Sequence, residues 1–419
     1  MSGGCVGHRG DNTPAAEANS NIANIDQITW FPPIASVTAV KVKWPKPDRS
    51  VAASADGWSH STYRATPMTR HQDLQQKSSS AASAMHADEV WVQITAKDGT
   101  FGLGRTAFGS PVAEYVRGVV APLLGGQDPT AIELHNDVLW RASLRVGAEG
   151  HSSMARSAVD LALWDLKGKL LGLPVFSLLG GPLRKSVRCY ATTDDLEWAA
   201  ELGFKSFKIS NDTHHDAGTQ GLRHIESRVA DARERVGRHA DLMFNPIMPF
   251  NLEFTVRLAE TLRPYGLAWL EEPLQPWDFE GHRLLRERAP FMPIATGEDH
   301  HGRHSFASLI NRRAADVLQP DIEWCGGLSE AVKIHTLAEA AGIEVVPHAG
   351  ANTPWGQHFG IAMSGASLAE YWLGSDPGVA LLAVDRIPGT AHPEDGLVTP
   401  NSAPGFGLEI DESQIRPWF

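Results

Sequence analysis

Short apolar runs recur at nearly even intervals through the second half of this chain, and each run ends in a polar residue. The runs are LMFN, LAWLE, IATGE, VLQPD, EVVPH and LAE, and they end at Asn245, Glu271, Glu298, Asp321, His348 and Glu370. The gaps between these residues are 26, 27, 23, 27 and 22 positions, about the length that a strand and a returning helix need. The pattern predicts parallel strands of a barrel whose chemistry collects at one rim.

Two earlier segments complete the strand count. VRCYAT (187–192) and GFKSFKIS (203–210) have the same apolar character, so eight strands follow one another in order. A helix candidate precedes them over residues 153–174, where a glycine and a proline end the apolar pattern. The order of elements predicts an α/β fold, a modified (β/α)8 TIM barrel over residues 151–373.

The first part of the chain has a different pattern. Residues 36–46 alternate like a half-buried strand, and two apolar runs flank the turn Lys97-Asp98-Gly99-Thr100, which is typical of a hairpin. We therefore expect a small α+β capping domain over residues 31–150. A polar stretch over residues 47–86 interrupts this domain and predicts a long flap loop.

Both ends of the chain add to this organisation. Residues 1–30 are rich in Gly, Ala and Asn and lack the apolar stretch of a secretory signal, so they predict a mobile tail. Residues 374–419 are rich in Pro and Gly, and we expect them to pack back on the capping domain. A membrane span is not expected, because no run of 18 apolar residues occurs.

Composition and charge exclude several kinds of partner. Hydrophobic residues make up 42% and charged residues 21% of the 419-residue chain, as in ordinary globular proteins. The net charge of −12 argues against nucleic acid or an anionic membrane as the main partner. The three cysteines (Cys5, Cys189 and Cys325) are too far apart in sequence to suggest a disulfide framework, which fits the cytoplasm.

The polar residues at the strand ends have the chemistry of a metal-assisted acid–base site. Glu271 and Glu298 are metal-ligand candidates, because a hard cation such as Mg²⁺ prefers several oxygen ligands. Each could instead cap a helix or pair with a lysine. Asp321 beside His348 would fix the imidazole tautomer and raise its basicity, which makes a general acid–base dyad. Lys208 could stabilise a developing oxyanion, or simply form a salt bridge.

Other motifs carry less information. Gly102 and Gly104 imitate part of a dinucleotide fingerprint, but they lie within a hairpin arm and not in a strand-to-helix turn. The pairs His214-His215 and His300-His301 could line the mouth of the barrel or bind adventitious metal, and solvated loop histidines are the competing interpretation. Of these, His300 is a candidate substrate contact. Cys325 is expected to be a buried packing residue.

Several motifs together resemble the mandelate racemase branch of the enolase superfamily from about residue 36 to the C-terminus. They are SAVDLALWDLKGKLLGLPVFSLLGG, WLEEP, ATGED and QPD…CGG…PH, and TPMTR, CYATTDD and APGFG are most similar to rhamnonate-type dehydratases. The resemblance implies an α+β cap built from both chain ends, and an acid-sugar substrate bound to Mg²⁺. By position it implies that Asn245, Glu271 and Glu298 hold the metal. The same correspondence makes His348–Asp321 the base and its partner, and Glu370 a hydrogen-bond partner of the enediolate oxygen.

The chain departs from this family pattern at two positions. The strand-two motif Lys-x-Lys reads Lys208-Ile209-Ser210, so the opposite-face base of a racemase is missing, as in rhamnonate-type dehydratases. Asn245 replaces a carboxylate and removes one negative charge from the metal site. The resemblance thus implies a dehydratase that yields a 2-keto-3-deoxy acid. A sugar-acid binder with a weakened metal site is the alternative, and an epimerase is disfavoured.

The flap loop is expected to determine which sugar acid binds. Candidate substrate contacts there are Trp58, His60, Arg70 and Lys77, although each is equally an ordinary loop residue. The resemblance also implies a homo-oligomer. The sequence does not fix which sugar acid is bound.

Overall fold

The computed structural model describes Met1, residues 31–45, 64–71 and 89–419, and Leu74. The first of two sheets has four antiparallel strands in the order β13–β1–β2–β3. Because β13 pairs with β1, the end of the chain joins the N-terminal sheet, as the sequence predicts. The strands are β1 (Ile34–Val42), β2 (Val90–Ala96), β3 (Phe101–Thr106) and β13 (Ile415–Pro417).

Eight parallel strands form the second sheet in the order β10–β9–β8–β7–β6–β5–β4–β11, and a short strand β12 (Leu397–Val398) pairs antiparallel with β4. This sheet confirms the predicted modified (β/α)8 barrel. Its strands are β4 (Val187–Thr192), β5 (Ser206–Ile209), β6 (Asp241–Phe244), β7 (Trp269–Glu271), β8 (Ile294–Thr296), β9 (Val317–Leu318), β10 (Glu344–Val345) and β11 (Leu368–Trp372).

Helices cover the outside of the barrel and one side of the cap. The first four in chain order are α1 (Gly109–Tyr115), α2 (Ala121–Leu124), α3 (Ile132–Ser143) and α4 (His151–Leu171), and a π-helical turn at Val116–Val120 separates the first two. The remaining helices are α5 (Val175–Leu178), α6 (Leu196–Glu201), α7 (Gly218–Val236), α8 (Leu252–Leu262), α9 (Phe279–Arg288), α10 (Gly302–Arg312), α11 (Leu328–Ala340) and α12 (Pro354–Ala362).

The interior of the barrel explains why polar residues end its strands. A compact apolar cluster of inward side chains fills the centre: Tyr190, Met243, Trp269, Ala295, Val317, Val346 and Leu368. Side chains two positions apart on a strand share a face. Residues two positions beyond these members therefore start on the same inward side, at the carboxyl-terminal edge of the sheet. They include Thr192, Asn245, Glu271, His348 and Glu370.

Two glycines bring the cap sheet against helix α4. A Cβ on Gly102 would lie 2.1 Å from the carbonyl oxygen of Ala162, and one on Gly104 would lie 2.1 Å from that of Ala158. Only glycine fits at such distances, so these residues serve helix–sheet packing and not a nucleotide. Since α4 packs on the cap sheet, the division between cap and barrel at residue 151 stays a prediction.

The described helices also bear on membrane association. None of them combines the length and the apolar character that crossing a membrane requires.

Candidate active site

A cavity of about 570 Å³ opens at the carboxyl-terminal edge of the barrel sheet, a size that is usual for small-molecule sites. Residues predicted from the strand ends line it from several sides: Lys208, Asn245, Glu298, His348 and Glu370. Glu271 and Asp321 lie directly behind this lining, hydrogen-bonded to Asn245 and His348. The structure therefore brings all seven predicted strand-end residues to one place.

The histidine and aspartate form a close pair. His348 Nδ1 lies 2.7 Å from Asp321 Oδ2, and the other oxygen of Asp321 accepts a hydrogen bond from the Glu323 amide at 2.7 Å. His348 Nε2 lies 3.7 Å from Glu298, and 24% of the histidine side chain is exposed. Burial alone would lower the pKa of His348, but the carboxylates of Glu298, Asp321 and Glu370 raise it well above its usual value. The pair holds a basic nitrogen toward the cavity.

Lys208 is a buried cation between two carboxylates. Its ammonium group contacts Glu271 and lies 2.7 Å from Glu370. Burial would lower the pKa of Lys208, but Glu271 and Glu370 raise it well above its usual value, so the side chain stays charged. Burial would likewise raise the pKa of Glu370, but Lys208 and His348 hold it at about 2. Glu370 is therefore an ionised hydrogen-bond acceptor.

Other donors fix the Glu370 carboxylate. The Thr192 hydroxyl donates to Glu370 Oε1 at 2.5 Å, and the amide of Ala349 donates to Oε2 at 3.0 Å. Both donors come from strand ends beside Glu370. The carboxylate is held in place and in turn holds Lys208 at the cavity wall.

Glu271 has a hydrogen-bond donor at each of its acceptor positions. Oε1 accepts from Lys208 and from Asn245 Nδ2 at 2.8 Å, and Oε2 accepts from Trp269 Nε1 at 2.9 Å and Gln319 Nε2 at 2.8 Å. Asn245 is held at both ends, because its carbonyl oxygen accepts from the Ile247 amide at 2.8 Å. If the Asn245 amide were turned over, its oxygen would face the Glu271 oxygen and its NH₂ group would face the Ile247 amide. Neither hydrogen bond could then form.

Next to this saturated carboxylate lies a group of three others. One oxygen each from Glu272, Glu298 and Asp299 lies within 4.8 Å of the other two. Both carboxylate oxygens of Glu272 are buried, and no hydrogen-bond donor within the described part of the chain reaches them. Burial together with Glu298 and Asp299 raises the pKa of Glu272 well above its usual value. Burial also raises the pKa of Glu298 to about 7, with His348 opposing the rise. Such a group favours a bound cation.

The cap and the C-terminal segment close the remaining sides of the cavity. Arg64 and Arg105 line it from the N-terminal region, and residues 384–387 line it from the C-terminal segment. Arg105 is fixed by Glu323, with nitrogen–oxygen distances of 2.8 and 3.2 Å, and by Glu89 at 3.0 Å. The cap is thereby tied to the loop that carries Asp321 and Trp324. Trp324 in turn lies against the His348 ring, with 5.3 Å between ring centroids.

The two predicted substrate contacts that the structure describes, Arg70 and His300, are not part of this lining. Arg70 is exposed, lies 3.8 Å from Asp216, and borders a separate small crevice with His214 and His215. His300 is buried between Phe279 and Phe306, where burial lowers its pKa to about 3. Trp58, His60 and Lys77 lie outside the described residues.

Sequence reasoning missed several residues of the site. Glu272 and Asp299 each follow a predicted metal ligand directly, in WLEEP and ATGED. The doubled carboxylates at two adjacent strand ends were the available signal. The sequence contains no comparable signal for Arg105 and Glu323, because these two paired residues are 218 positions apart.

Ser210 stands in this chain for the second base that a racemase needs. Ser210 occupies the position where a racemase places its second lysine, and its hydroxyl donates to Asp194 at 2.6 Å. Among the described residues that line the cavity, His348 is the only histidine and Lys208 the only lysine. Lys208 is held as a cation, so His348 is the one nitrogen base that the described lining offers for proton abstraction.

Comparisons with known proteins show which family this chain resembles. The family described as enolase C-terminal domain-like matches residues 192–414, and the N-terminal domain of the mandelate racemase and muconate lactonizing enzyme family matches residues 64–180. L-rhamnonate dehydratase of Saccharopolyspora erythraea is 36% identical over 356 residues, 84% of this chain and 90% of that protein.

Solved structures give the same result. Rhamnonate dehydratase from Gibberella zeae complexed with Mg superposes with a TM-score of 0.85 at 29% identity, covering 94% of this chain and 98% of that one. L-talarate dehydratase from a Polaromonas species, complexed with Mg and L-glucarate, gives a TM-score of 0.66 at 29% identity, covering 78% and 92%.

Proposed function

This chain belongs to the mandelate racemase and muconate lactonizing enzyme family of the enolase superfamily, and from that premise we propose that it is a Mg²⁺-dependent sugar-acid dehydratase. The observation that carries the proposal is the His348–Asp321 pair, 2.7 Å apart, facing a cavity whose described lining has no second histidine and no lysine besides the ion-paired Lys208. A single acid–base residue suits elimination, because both proton transfers can occur on one face of the substrate.

The cofactor is Mg²⁺, and the residues fit it. Carboxylates outnumber cations at the strand ends, and two buried oxygens of Glu272 have no donor within the described residues. Glu298 is the ligand with the strongest support, since it ends its strand, lines the cavity and belongs to the three-carboxylate group. When bound, the ion supplies a Lewis acid that draws charge from the substrate carboxylate and so acidifies the C2 proton.

His348 performs the proton transfers. Its Nε2 takes the proton from C2, and the electron pair left on C2 forms a C2–C3 double bond as the C3–O bond breaks. The protonated imidazole then gives its proton to the departing hydroxyl, which leaves as water. The resulting enol tautomerises to a 2-keto-3-deoxy acid. Asp321 keeps Nδ1 protonated at the start and stabilises the imidazolium that forms.

Lys208 and Glu370 have different electrostatic roles in the proposed reaction. The Lys208 ammonium is a preorganised cation toward which charge on a carboxylate oxygen can develop. Glu370 has no proton to donate with its pKa at about 2, so it acts by orienting Lys208 and the Ala349 amide. Lys208, and not Glu370, is then the hydrogen-bond donor to the oxyanion.

The substrate class is an aldonate of the rhamnonate, lyxonate or galactonate kind. The similarity to L-rhamnonate dehydratase supports this choice. Arg64 and Arg105 in the cavity lining would contact hydroxyl groups of the sugar.

A substrate screen tests the proposal. The protein with Mg²⁺ is incubated with a library of aldonates and aldarates, and 2-keto-3-deoxy acids are assayed. We expect turnover of at least one aldonate and none with His348→Asn. If Mg²⁺ and a sugar acid both bind but no member turns over, the dehydratase proposal is wrong.

A second candidate is a sugar-acid binder without catalysis, and Asn245 is the observation that favours it. Its amide removes one negative charge where the family pattern has a carboxylate. Calorimetry separates the candidates, because a binder would take up the acid equally well with and without Mg²⁺. An enzyme of the proposed kind should bind the acid far more tightly with the ion present.

A further inference from the structure

Two consecutive histidines and an aspartate lie together on the loop between β5 and α7, apart from the active-site cavity. One ligand atom each of His214, His215 and Asp216 lies within 4.8 Å of the other two. Both imidazoles line a small crevice of about 70 Å³, and Met248 and Pro249 line it from the loop after β6. The described lining of the active-site cavity includes none of the three. The proposed dehydratase reaction therefore makes no use of this cluster.

A backbone contact fixes the tautomer of His215. Its Nδ1 lies 2.7 Å from the carbonyl oxygen of Pro249, which can only accept a hydrogen bond, so Nδ1 carries a proton. In the neutral ring the free electron pair is then on Nε2, which lies 3.2 Å from Asp216 Oδ1. A carbonyl oxygen behind one imidazole nitrogen is also the usual support of a histidine that binds metal through the other nitrogen.

His214 also turns an unprotonated nitrogen toward Asp216. The Asp216 amide donates to His214 Nδ1 at 3.2 Å, so this nitrogen carries no proton, and it lies 3.2 Å from Asp216 Oδ2. Burial and the adjacent His215 lower the pKa of His214, which keeps its ring neutral at pH 7. With both rings neutral, two nitrogen electron pairs face one carboxylate with no proton between them. A shared metal ion would stabilise this arrangement, because metal ligands must be deprotonated.

The separations in the cluster suit a tetrahedral metal ion. Zn²⁺ binds imidazole nitrogen and carboxylate oxygen at about 2.0–2.1 Å, which places neighbouring ligand atoms roughly 3.4 Å apart. Each of the two nitrogen–oxygen separations is 3.2 Å. Imidazole suits Zn²⁺, Cu²⁺ and Ni²⁺, whereas Mg²⁺ prefers oxygen ligands. The cluster therefore differs in its metal preference from the carboxylates at the strand ends.

Arg70 is the cation that accompanies Asp216. Its Nε lies 3.8 Å from Asp216 Oδ2, and 61% of the arginine and 56% of the aspartate side chain are exposed. Exposed ion pairs contribute little to stability, so Arg70 can turn into solvent when a metal ion binds the carboxylate. The positive charge of Arg70 weakens metal binding but does not block the ligand atoms.

We propose that His214, His215 and Asp216 form a binding site for a divalent transition-metal ion of the Zn²⁺ class, separate from the Mg²⁺ site. The ion replaces the long hydrogen bond to His214 Nδ1, and water completes its coordination. Because Pro249 holds His215 from the next loop, the bound ion stabilises this part of the barrel rim. The site does not depend on the proposed dehydratase function, so either proposal can fail without the other.

Metal titration of the untagged full chain tests the proposal. Zn²⁺ binding is measured by calorimetry in excess Mg²⁺, which competes for the oxygen ligands at the strand ends. We expect His215→Gln and Asp216→Asn each to weaken Zn²⁺ binding by roughly tenfold or more, since the loss of a residue that merely orients a ligand already costs about tenfold. Electron paramagnetic resonance of bound Cu²⁺ should show one imidazole nitrogen fewer in His215→Gln than in the wild type.

A nearby histidine–aspartate pair supplies the matched control. His224 Nε2 lies 3.0 Å from Asp212 Oδ2, but this pair belongs to no group of three ligands within the described part of the chain. His224→Gln should leave Zn²⁺ affinity unchanged. Arg70→Met should strengthen Zn²⁺ binding by up to about fivefold, because it removes the competing cation.

Melting temperatures of the metal-free variants show whether each one is folded. Asp216 is largely exposed, so Asp216→Asn should melt close to the wild type without metal and gain less stability from added Zn²⁺. Equal Zn²⁺ affinity in the wild type, His215→Gln and Asp216→Asn would overturn the proposal. An equal loss of affinity in His224→Gln would overturn it as well, as would weaker Zn²⁺ binding in Arg70→Met.

Discussion

His348 Nδ1 lies 2.7 Å from Asp321 Oδ2, and this contact fixes which nitrogen of the imidazole faces the cavity. When the imidazole is neutral, Nδ1 donates its proton to the carboxylate and Nε2 carries the free electron pair. Asp321 is itself oriented by the Glu323 amide. The acid–base function of the site follows from this pair.

Replacing His348 with asparagine should abolish proton abstraction. We expect kcat to fall by at least roughly 10³-fold, to a level at which product is not detected, in line with the loss of a general base. Asp321→Asn should also lower kcat, but less, since the base remains and only its tautomer and basicity change. Rates of 2-keto-3-deoxy acid formation measure both effects. Retention of near wild-type kcat by His348→Asn would exclude this residue as the base.

The ion pair between Arg105 and Glu323 should position the catalytic loop. Arg105→Met leaves the buried Glu323 uncompensated, so we expect a loss of stability and a fall in kcat on the order of tenfold. The double variant Arg105→Met/Glu323→Leu should recover stability but not kcat, because neither apolar side chain restores the tie between cap and loop. Thermal melting and steady-state kinetics separate the two effects.

A second ion pair serves as the control for this prediction. Lys333 and Glu133 also join barrel to cap, at 2.7 Å, but 74% of the Glu133 side chain is exposed. Lys333→Met should leave kcat unchanged and cost at most about 1 kcal/mol. If it lowers kcat as much as Arg105→Met does, general cap docking and not the Arg105 contact explains the effect.

Asn245→Asp restores the carboxylate of the family pattern and should not improve this protein. The new charge would lie beside Glu271 in place of the 2.8 Å hydrogen bond, so we expect a lower melting temperature without metal. Mg²⁺ affinity should not increase. Calorimetry that shows tighter Mg²⁺ binding by this variant would instead make position 245 a ligand.

Two buried histidines should make the fold sensitive to acid. Burial lowers the pKa values of His300 and His358 to about 3, and His358 Nδ1 accepts a hydrogen bond from the Phe176 amide. The unfolded chain takes up these protons near pH 6.5 whereas the folded protein does not. The free energy of unfolding should therefore fall as pH drops from 6.5 toward 3, by about 1.4 kcal/mol per pH unit for each histidine.

Denaturant unfolding between pH 7 and pH 5 checks this slope. His300→Phe should reduce the pH dependence of the unfolding free energy by the equivalent of about one proton, because phenylalanine does not titrate. His239→Gln, at an exposed position, is the control and should leave the slope unchanged. An unaltered slope in His300→Phe would show that His300 does not cause the sensitivity.

The architecture could be predicted because it depends on repeated local patterns. Strand-end positions such as His348 and Glu370 follow from the spacing of apolar runs, and the hairpin follows from its turn at Lys97–Thr100. Parallel strands carry their last side chains to one edge, so the spacing alone brought the predicted set together.

The state of each carboxylate could not be predicted in this way. Glu271 and Glu272 are neighbours in sequence, yet Glu271 is saturated by donors that include Gln319, 48 positions away, while Glu272 has none among the described residues. Likewise, the contact between Arg105 and Glu323 depends on how the cap sits on the barrel. Burial and hydrogen-bond satisfaction are properties of the tertiary structure.

One measurement tests the central claim most directly: incubation of the wild-type protein and Mg²⁺ with L-rhamnonate in D₂O, followed by NMR. The account predicts a 2-keto-3-deoxy acid that carries solvent deuterium at C3, with unreacted substrate keeping its configuration at C2. None of this should occur with His348→Asn. Inversion at C2 without loss of water, or bound L-rhamnonate that does not react, would contradict the account.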